Sequence, residues 1–599
     1  MSQGRKKQKK GVERWDGMGA IVGDGGVAFR VWAPHASAVS VFGDFDEWRN
    51  DAHPLEDEGN GYWYTLVPEA APGQEYQFWI TNGENSFARI DPYAREVTNS
   101  VGNGVIRDHA GYDWEGDSAH CPPHNTLVIY EMHVGSFNQG DAEVGRFDDV
   151  VARLDYLKEL GVNAIQVMPI TEFAGDRSWG YNPAHIFAVE SAYGGPDGYK
   201  NLIKEAHRRG IAVIQDVVYN HFGPSDLDLW QFDGWSDNDK GGIYFYNDDR
   251  SSTPWGDTRP DYGREEVRRF IRDNALMWLR DYHVDGLRLD MTPYMYRSDG
   301  GEIKEGWTLM RWLTDSIRDE FPGRITIAED LHGHDTITSV APEGAGFHAQ
   351  WDAEFVHPIR AALTVADDQQ RSVPAVAAAV AHSYGGAFQR VIYTESHDEV
   401  ANGKARVPQE IEPQNATGWP AQKRSTVGAA LVMTAPGIPM IFQGQESLEG
   451  GWFRDDVPLD WKRTSDFRGI INLYCDLITL RQDRWGHSRG LQGQGLNVFH
   501  ANDDDNLLAF QRWDEHGPGD DVVVVINLSN ETYTDYRIGM PAPGLWRLRF
   551  NSDSTDYSSI FGNTDSFDLT AFEEDQDGLP CHANVTIAPY SALIYSQDA

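Results

Sequence analysis

The sequence predicts an α/β protein: a closed (β/α)8 TIM barrel carrying an N-terminal β-sandwich module and a C-terminal antiparallel β-domain. Three observations carry this prediction. From about residue 125 to 485, short apolar runs alternate with amphipathic helical stretches, which is the signature of a parallel sheet. The alternation supplies eight strand-like runs, the number that closes a barrel. On both sides of it the helical period disappears, leaving short β-rich runs between turn residues.

The elements follow in order. Residues 1–14 form a basic tail, MSQGRKKQKKG at its start, that lacks the apolar segment of a secretory signal and is expected to be disordered. Residues 15–112 read as a β-sandwich, with VAFRVWAP, AVSVFGDF, GYWYTLVP and QEYQFWIT as strands. Its aromatics include Trp48, Trp63 and Trp79; most are expected in the core, with one or two left to form a sugar-stacking platform. The barrel spans 113–485. Its strands are read at TLVIYEMHV, NAIQVMPI, IAVIQDVVYNH, VDGLRLD, RITIAED, HAQWDAEF, RVIYTESH and IPMIFQGQE. FDDVVARLDYLKELG, GYKNLIKEAHRRG and REEVRRFIRDNALMWLRDYH are among the intervening helices. Residues 219–263 hold no clear long element, and connections of that length in compact domains are usually functional. Residues 486–599 return to strands: NLLAFQRW, DVVVVINLS, LWRLRFNS and SALIYSQ.

Composition narrows the function. With 40% apolar and 24% charged residues, the 599-residue chain reads as soluble and globular, and no apolar run approaches the roughly 18 residues of a membrane span. Cys121, Cys475 and Cys581 are odd in number and far apart, so neither a disulfide framework nor a metal cluster is expected, in keeping with a cytoplasmic location. The net charge of −41 argues against nucleic acid as a partner and leaves a neutral substrate unaffected. Only 12 of the 51 basic residues are Lys, and an Arg-over-Lys, Asp-rich surface suits a salty environment. No membrane partner is expected, and the chain is read as a monomer or weak oligomer.

The chemistry gathers where the strands end. The third closes on Asp216-Val-Val-Tyr-Asn220-His221, the fourth carries Arg288 and Asp290, the fifth ends on Glu329-Asp330, and the seventh on Glu395-Ser396-His397-Asp398-Glu399. Barrel active sites are built on that rim. One polar residue at a strand end is usually a cap or a solvated loop residue; several on one rim point to a site. Arg288 and Asp290 are two apart on a strand and share a face, so the guanidinium favours the ionised carboxylate that a nucleophile needs. Glu329 follows the apolar run ITIA, where a carboxyl's pKa rises toward that of a general acid. Asp398 is placed to hold sugar hydroxyls, and His221 and His397 to donate to them. A nucleophilic and an acidic carboxyl are the equipment of retaining glycoside chemistry. A structural ion-pair network accounts for Arg288 and Asp290, but not for Glu329 and Asp398 on other strands. For Glu399, a supporting or acceptor-side role and a solvated loop position are equally open.

DVVYNH, GLRLD, AED and ESHD, in this order, resemble the four motifs of the α-amylase superfamily, glycoside hydrolase family 13. The resemblance implies that Asp290 is the nucleophile, Glu329 the acid/base and Asp398 the transition-state stabiliser. Arg288, His221 and His397 would line the same subsite, Asp216 would support it, and Tyr181 of SWGYNP would stack on the donor sugar. FRVWAPHASAVSVFGDFDEW resembles the family 48 carbohydrate-binding module. SHDEVANGK is similar to the branching group of the family, whereas trehalohydrolases carry Asn-His-Asp-Gln there. FQGQESLEGGWFRDDVPLDW departs from the usual Met-Gly-Asn-Glu form after the eighth strand. The resemblance implies an enzyme that makes α-1,6 branches in an α-glucan such as glycogen, amylose or a maltooligosaccharide, without a cofactor. Some relatives bind calcium near the first motif, but no oxygen-rich loop of the EF-hand kind is present and no metal is expected. The alternatives are a malto-oligosyltrehalose trehalohydrolase or α-amylase-like hydrolase and, from another class, a non-catalytic glycan-binding protein.

Overall fold

A computed structural model describes residues 14–599 except 118–120, 141 and 563. The tail expected at 1–14 lies almost wholly outside the described residues.

Eight parallel strands close into a barrel. They are β1 (Ile129–Met132), β2 (Ala164–Val167), β3 (Ala212–Val217), β4 (Gly286–Leu289), β5 (Ile325–Ala328), β6 (Ala349–Trp351), β7 (Arg390–Ile392) and β8 (Ile438–Phe442). Each pairs in register with the next, and β1 closes the ring on β8 through Ile129 and Met440. The eight runs expected from the sequence are these eight strands. Side chains alternate along each strand, so one set fills the interior: Ile129, Ala164, Ile214, Ile327, Trp351 and Ile438 pack there as a single cluster. Two residues further along the same strands come Glu131, Gln166 and Asp216, which therefore belong to the upper interior layer. On β4 the alternation puts Gly286 and Arg288 on that inward face. A Cβ at Gly286 would come within 2.5 Å of the Ile325 carbonyl oxygen, so only glycine lets β4 and β5 approach this closely.

The outer layer is helical, with Gly195–Arg208, Glu265–Asp281, Lys304–Glu320, Ala353–Thr364, Trp419–Thr434 and Arg468–Arg481 among its members. One expectation needs correcting. FDDVVARLDYLKELG is two short helices, Phe147–Val151 and Leu154–Leu160, not one. The break follows the β-branched pair Val150-Val151, whose stiff side chains weaken helix continuation.

The N-terminal part is a sandwich of two sheets. One joins Gly19–Gly23, Gly26–Trp32, Tyr62–Val67 and Glu56–Gly59; the other is centred on Ala38–Gly43 and Glu75–Asn82. The three tryptophans are not core residues. Trp63 and Trp79 are half-buried, and Trp48 keeps 36% of its surface exposed. Trp48 and Trp79 both meet Phe42 edge-on, at 5.6 and 6.1 Å. The C-terminal part has a six-stranded sheet ordered Gly495–Asn502, Leu507–Trp513, Val522–Asn527, Ser591–Ser596, Gly544–Asn551 and Leu569–Ala571.

The connection 219–263 contains only two single-turn helices, Gly242–Tyr244 and Asp249–Ser251. It is held against the N-terminal sandwich. The backbone N–H and ring Nδ1 of His35 both lie 2.9 Å from the Asp233 carboxylate. Asn82 donates to the Asp233 carbonyl, Arg89 to the carbonyls of Phe232 and Gln231, and the Ile90 N–H to Asp228.

The C-terminal sheet is latched to the barrel by buried cations. Lys423 on the helix Trp419–Thr434 meets Asp553 at 2.5 Å with both side chains almost fully buried. Arg512 donates to the Thr434 carbonyl, and Arg371 to that of Leu528. Burial lowers the pKa of Lys423, and Asp553 counters it. Removing one partner strands the other charge in an apolar setting. We expect Asp553→Ala to destabilise the protein by about 3–5 kcal/mol in chemical denaturation, and Lys423→Met combined with Asp553→Leu to recover most of that loss. A single variant as stable as the parent would show that the latch carries no load.

Candidate active site

β4 delivers Arg288 into the mouth of the barrel, fully buried. Its guanidinium reaches three carboxylates on three strand ends. Nη1 donates to Asp216 at 2.8 and 2.9 Å and to Asp290 at 3.1 Å, and Nη2 donates to Glu329 at 2.7 Å. A second donor also fixes Glu329, the Met291 backbone N–H at 2.9 Å. That short link holds the turn after β4 against the end of β5. Met291 takes φ +35°, a left-handed conformation a methionine seldom adopts. Asn220, at the end of the run from β3, donates through Nδ2 to the Asp290 carboxylate at 2.7 Å and to its carbonyl at 2.8 Å. Trp351 on β6 lies beneath the guanidinium, 4.3 Å from ring centre to Arg288 Cζ.

One buried cation cannot neutralise three carboxylates. The imbalance appears on two of them. Burial pushes Glu329 up to about 8 and Asp216 up to about 7, and Arg288 opposes the rise in each case. At neutral pH Glu329 therefore holds its proton in much of the population, as a proton donor must.

Asp398 approaches from the end of β7. Its side chain remains 44% accessible, so it opens onto the cleft. His397 stands beside it, with Nε2 3.3 Å from Asp398 and Nδ1 2.7 Å from Glu131. Burial disfavours charge on His397, but Asp398 and Glu131 outweigh it and hold its pKa well above 6.5. Burial likewise opposes charge on Asp398, and the neighbouring imidazolium overcomes it, holding Asp398 down at about 2. Glu329 and Asp290 feel each other, and Glu329 also feels Asp398 and Arg288. The acids of β4, β5 and β7 thus gather around one hollow.

Tyr181 stacks on His397 at 5.0 Å, its hydroxyl donates to Asp216 at 2.7 Å, and its ring stays partly exposed. His221 is placed differently from the sequence expectation. Its Nε2 donates to the Tyr181 carbonyl at 2.8 Å and its Nδ1 faces the Asn220 side chain. Both nitrogens are engaged within the protein, so the ring acts as a prop between Tyr181 and Asn220 rather than as a donor to sugar. Trp255 from the long connection stacks on its outer face at 4.5 Å and 14°. Glu399 is not a solvated loop residue: it is buried against Lys404 at 2.9 Å and His357 at 3.2 Å. Burial works against its charge, but His357 and Lys404 hold its pKa down at about 2. Glu395 is also structural, paired with Arg406 at 2.9 Å and accepting from the Val407 N–H.

Sequence reasoning missed Glu131, Asn220, Trp351 and Trp255. Glu131 was detectable as a lone carboxylate inside the apolar run VIYEMHV, and Asn220 as part of the quoted DVVYNH. Trp351 and Trp255 carried no local signal. Among the described residues no group of three or more His, Cys, Asp or Glu is arranged to hold a metal ion. No helix there is long and apolar enough to cross a membrane.

Comparison with known proteins fits this geometry. Residues 17–94 match the model of carbohydrate-binding module 48 (isoamylase N-terminal domain), 131–239 that of the alpha amylase catalytic domain, and 499–598 that of the alpha amylase C-terminal all-beta domain. A 1,4-alpha-glucan branching enzyme GlgB of Corynebacterium jeikeium is 32% identical over 91% of this chain and 78% of its own length. The protein of that name from Leifsonia xyli is 31% identical over 97% of this chain and 81% of its own. In fold, a pullulanase from Anoxybacillus superposes with TM-score 0.76 at 22% identity, over 98% of this chain and 88% of that one. A putative alpha amylase from Salmonella typhimurium gives TM-score 0.74 at 22% identity, over 98% and 100%. A barrel whose strand ends gather Asp290, Glu329 and Asp398, in a chain related over nearly its whole length to such proteins, belongs to the 1,4-α-glucan branching enzyme family of the α-amylase superfamily, glycoside hydrolase family 13.

Proposed function

We propose that this chain is a retaining 1,4-α-glucan branching enzyme, cleaving an α-1,4 link and passing the released chain to a 6-hydroxyl of an α-glucan. The observation that carries the proposal is the single guanidinium of Arg288 shared by Asp290 and Glu329 at the barrel mouth. Retaining chemistry needs two carboxyls about 5–5.5 Å apart with opposite protonation, and a shared cation is a direct way to hold them close.

In this reading Asp290 attacks the anomeric carbon and forms a glycosyl ester while Glu329 gives its proton to the departing 4-oxygen. Glu329, now a carboxylate, takes the proton of the incoming 6-hydroxyl. That oxygen attacks the same carbon, and the Asp290 carboxylate leaves. Asp398, kept ionised by His397, accepts hydrogen bonds from ring hydroxyls as the sugar flattens. Tyr181 offers its ring as the floor for the donor sugar. Trp48 and Trp79 in the module spanning 15–112 are proposed as a glucan platform, residues 113–485 as the catalytic unit and 486–599 as its buttress. We place the enzyme in the cytoplasm as a monomer or weak oligomer without nucleic-acid or membrane partners, a reading supported by its three scattered cysteines and its net charge of −41.

Hydrolysis shares the same intermediate, so the product decides. Incubated with amylose, the enzyme should shift the iodine stain while adding few reducing ends; an abundant release of reducing ends, or of trehalose from maltooligosyl-trehalose, would overturn the assignment.

The site sets three further outcomes. Glu329 donates only while protonated, so kcat/KM of the free enzyme should fall as pH rises through about 8. Glu329→Gln should lower kcat by about 10²–10⁴-fold and remove that alkaline limb. Asp290→Asn should abolish turnover yet leave glucan binding measurable by affinity electrophoresis; surviving turnover would mean the nucleophile is misassigned.

A further inference from the structure

One buried acid of the barrel interior takes no step in the reaction. Glu131, on β1, is fully buried. A carboxylate removed from water needs a cation or several donors. Among the described residues no Lys or Arg forms an ion pair with it, and its charged partner is His397. The contact is two-pronged. His397 Nδ1 lies 2.7 Å from Oε1, and the His397 backbone N–H donates to Oε2 at 3.1 Å. Gln166, the register neighbour of Glu131 on β2, is buried as well, and neither atom of its amide has a hydrogen-bond partner among the described residues. Both oxygens of Glu131 are thus committed to one histidine.

The far side of that ring faces the reaction. Nε2 lies 3.3 Å from Asp398. With Nδ1 giving its proton to Glu131, Nε2 carries the other proton outward, and a ring bearing both is an imidazolium between two carboxylates. Tyr181 stacks on it at 5.0 Å, Trp179 meets it edge-on at 5.7 Å, and Trp351 is tilted against it at 5.9 Å. The other titratable groups around it supply no substitute charge. His133, after β1, is pushed down to about 4 by burial, and burial holds the Tyr181 and Tyr393 hydroxyls protonated. Arg288 and Lys404 also act on Asp398, but Arg288 is shared with Asp216, Asp290 and Glu329, and Lys404 is bound to Glu399.

We propose that Glu131 is a positioning residue of the reaction, fixing His397 as an imidazolium whose Nε2–H faces Asp398 and the donor sugar. The proposal rests on the branching reading and adds a residue that never touches substrate. Asp398 has to stay ionised to hold ring hydroxyls as the sugar flattens, and the imidazolium beside it keeps it so. Burial opposes charge on His397, while Asp398 and Glu131 favour it. Deleting one of these two anions therefore moves the titration of His397 downward, toward a neutral ring that is free to take either tautomer.

The test labels histidine at 13Cε1 and follows His397, assigned by its loss in His397→Gln, through a pH titration by NMR. Beside it, kcat and donor half-saturation are measured with amylose. The parent should show an imidazolium at pH 7. Glu131→Gln keeps the shape of the side chain and removes its charge. It should move the His397 midpoint down by at least about one pH unit, the effect of losing a neighbouring opposite charge. It should lower kcat by about 10–100-fold, the worth of one charged hydrogen bond, with donor half-saturation moving less than about threefold. Glu131→Asp keeps the charge on a shorter arm, so it should keep His397 charged at pH 7 and lose less of kcat. A role in filling space alone demands the reverse order, because glutamine matches the native length. A neutral His397 in the parent at pH 7, a Glu131→Gln enzyme with the parent's midpoint, or Glu131→Gln outperforming Glu131→Asp overturns the proposal. A parent that makes no branches overturns the functional reading instead, and the His397 titration still reports on Glu131.

Discussion

Three carboxylates from three strand ends converge on the buried guanidinium of Arg288, and most of the site's chemistry follows from that charge imbalance. Taking one cation and three acids out of water is costly, and pairing recovers the cost only if the acids share protons as well as hydrogen bonds. The geometry decides which of them carry the excess. Asp216 and Glu329, deepest in the barrel, are pushed upward by burial, to about 7 and about 8. Asp398, open to the cleft and beside a protonated His397, is held down at about 2. A difference in burial and partners separates a carboxyl that keeps its proton, after β5, from a fixed negative charge after β7.

A second layer holds that arrangement. Glu131 keeps His397 charged, Asn220 orients Asp290, and Met291 accepts an unfavourable backbone angle in order to donate to Glu329. These residues lie on β1, after β3 and after β4. The inner ring of the barrel works as one electrostatic unit, because alternate positions along parallel strands all face the same axis.

Much of this was legible in the chain itself. The eight strands could be read because each is an apolar run bounded by helical periodicity. The acids could be read because charges ending such runs are conspicuous: DVVYNH, GLRLD, AED and ESHD mark four strand ends. What could not be read was anything dependent on chain segments meeting at long range. His221 looks like a sugar-facing donor until the Tyr181 carbonyl is found against it. Glu399 leaves a supporting role and a solvated one equally open until Lys404 and His357 close over it. Trp48 and Trp79 carry the aromatic signature of core residues, and only the tertiary fold leaves Trp48 exposed and Trp79 half-buried, both edge-on to Phe42. The break inside FDDVVARLDYLKELG is a local effect that amphipathic spacing alone conceals.

The contact between the connection 219–263 and the N-terminal sandwich reaches further than its handful of hydrogen bonds. Trp255, which shields His221, hangs from a segment whose other end is pinned by His35, Asn82 and Arg89. The sandwich is in this sense a jig for the catalytic mouth as well as an appendage to it. A different module grafted in its place would have to present the same docking face to Asp233 and its neighbours for the mouth it helps to shape to keep its alignment.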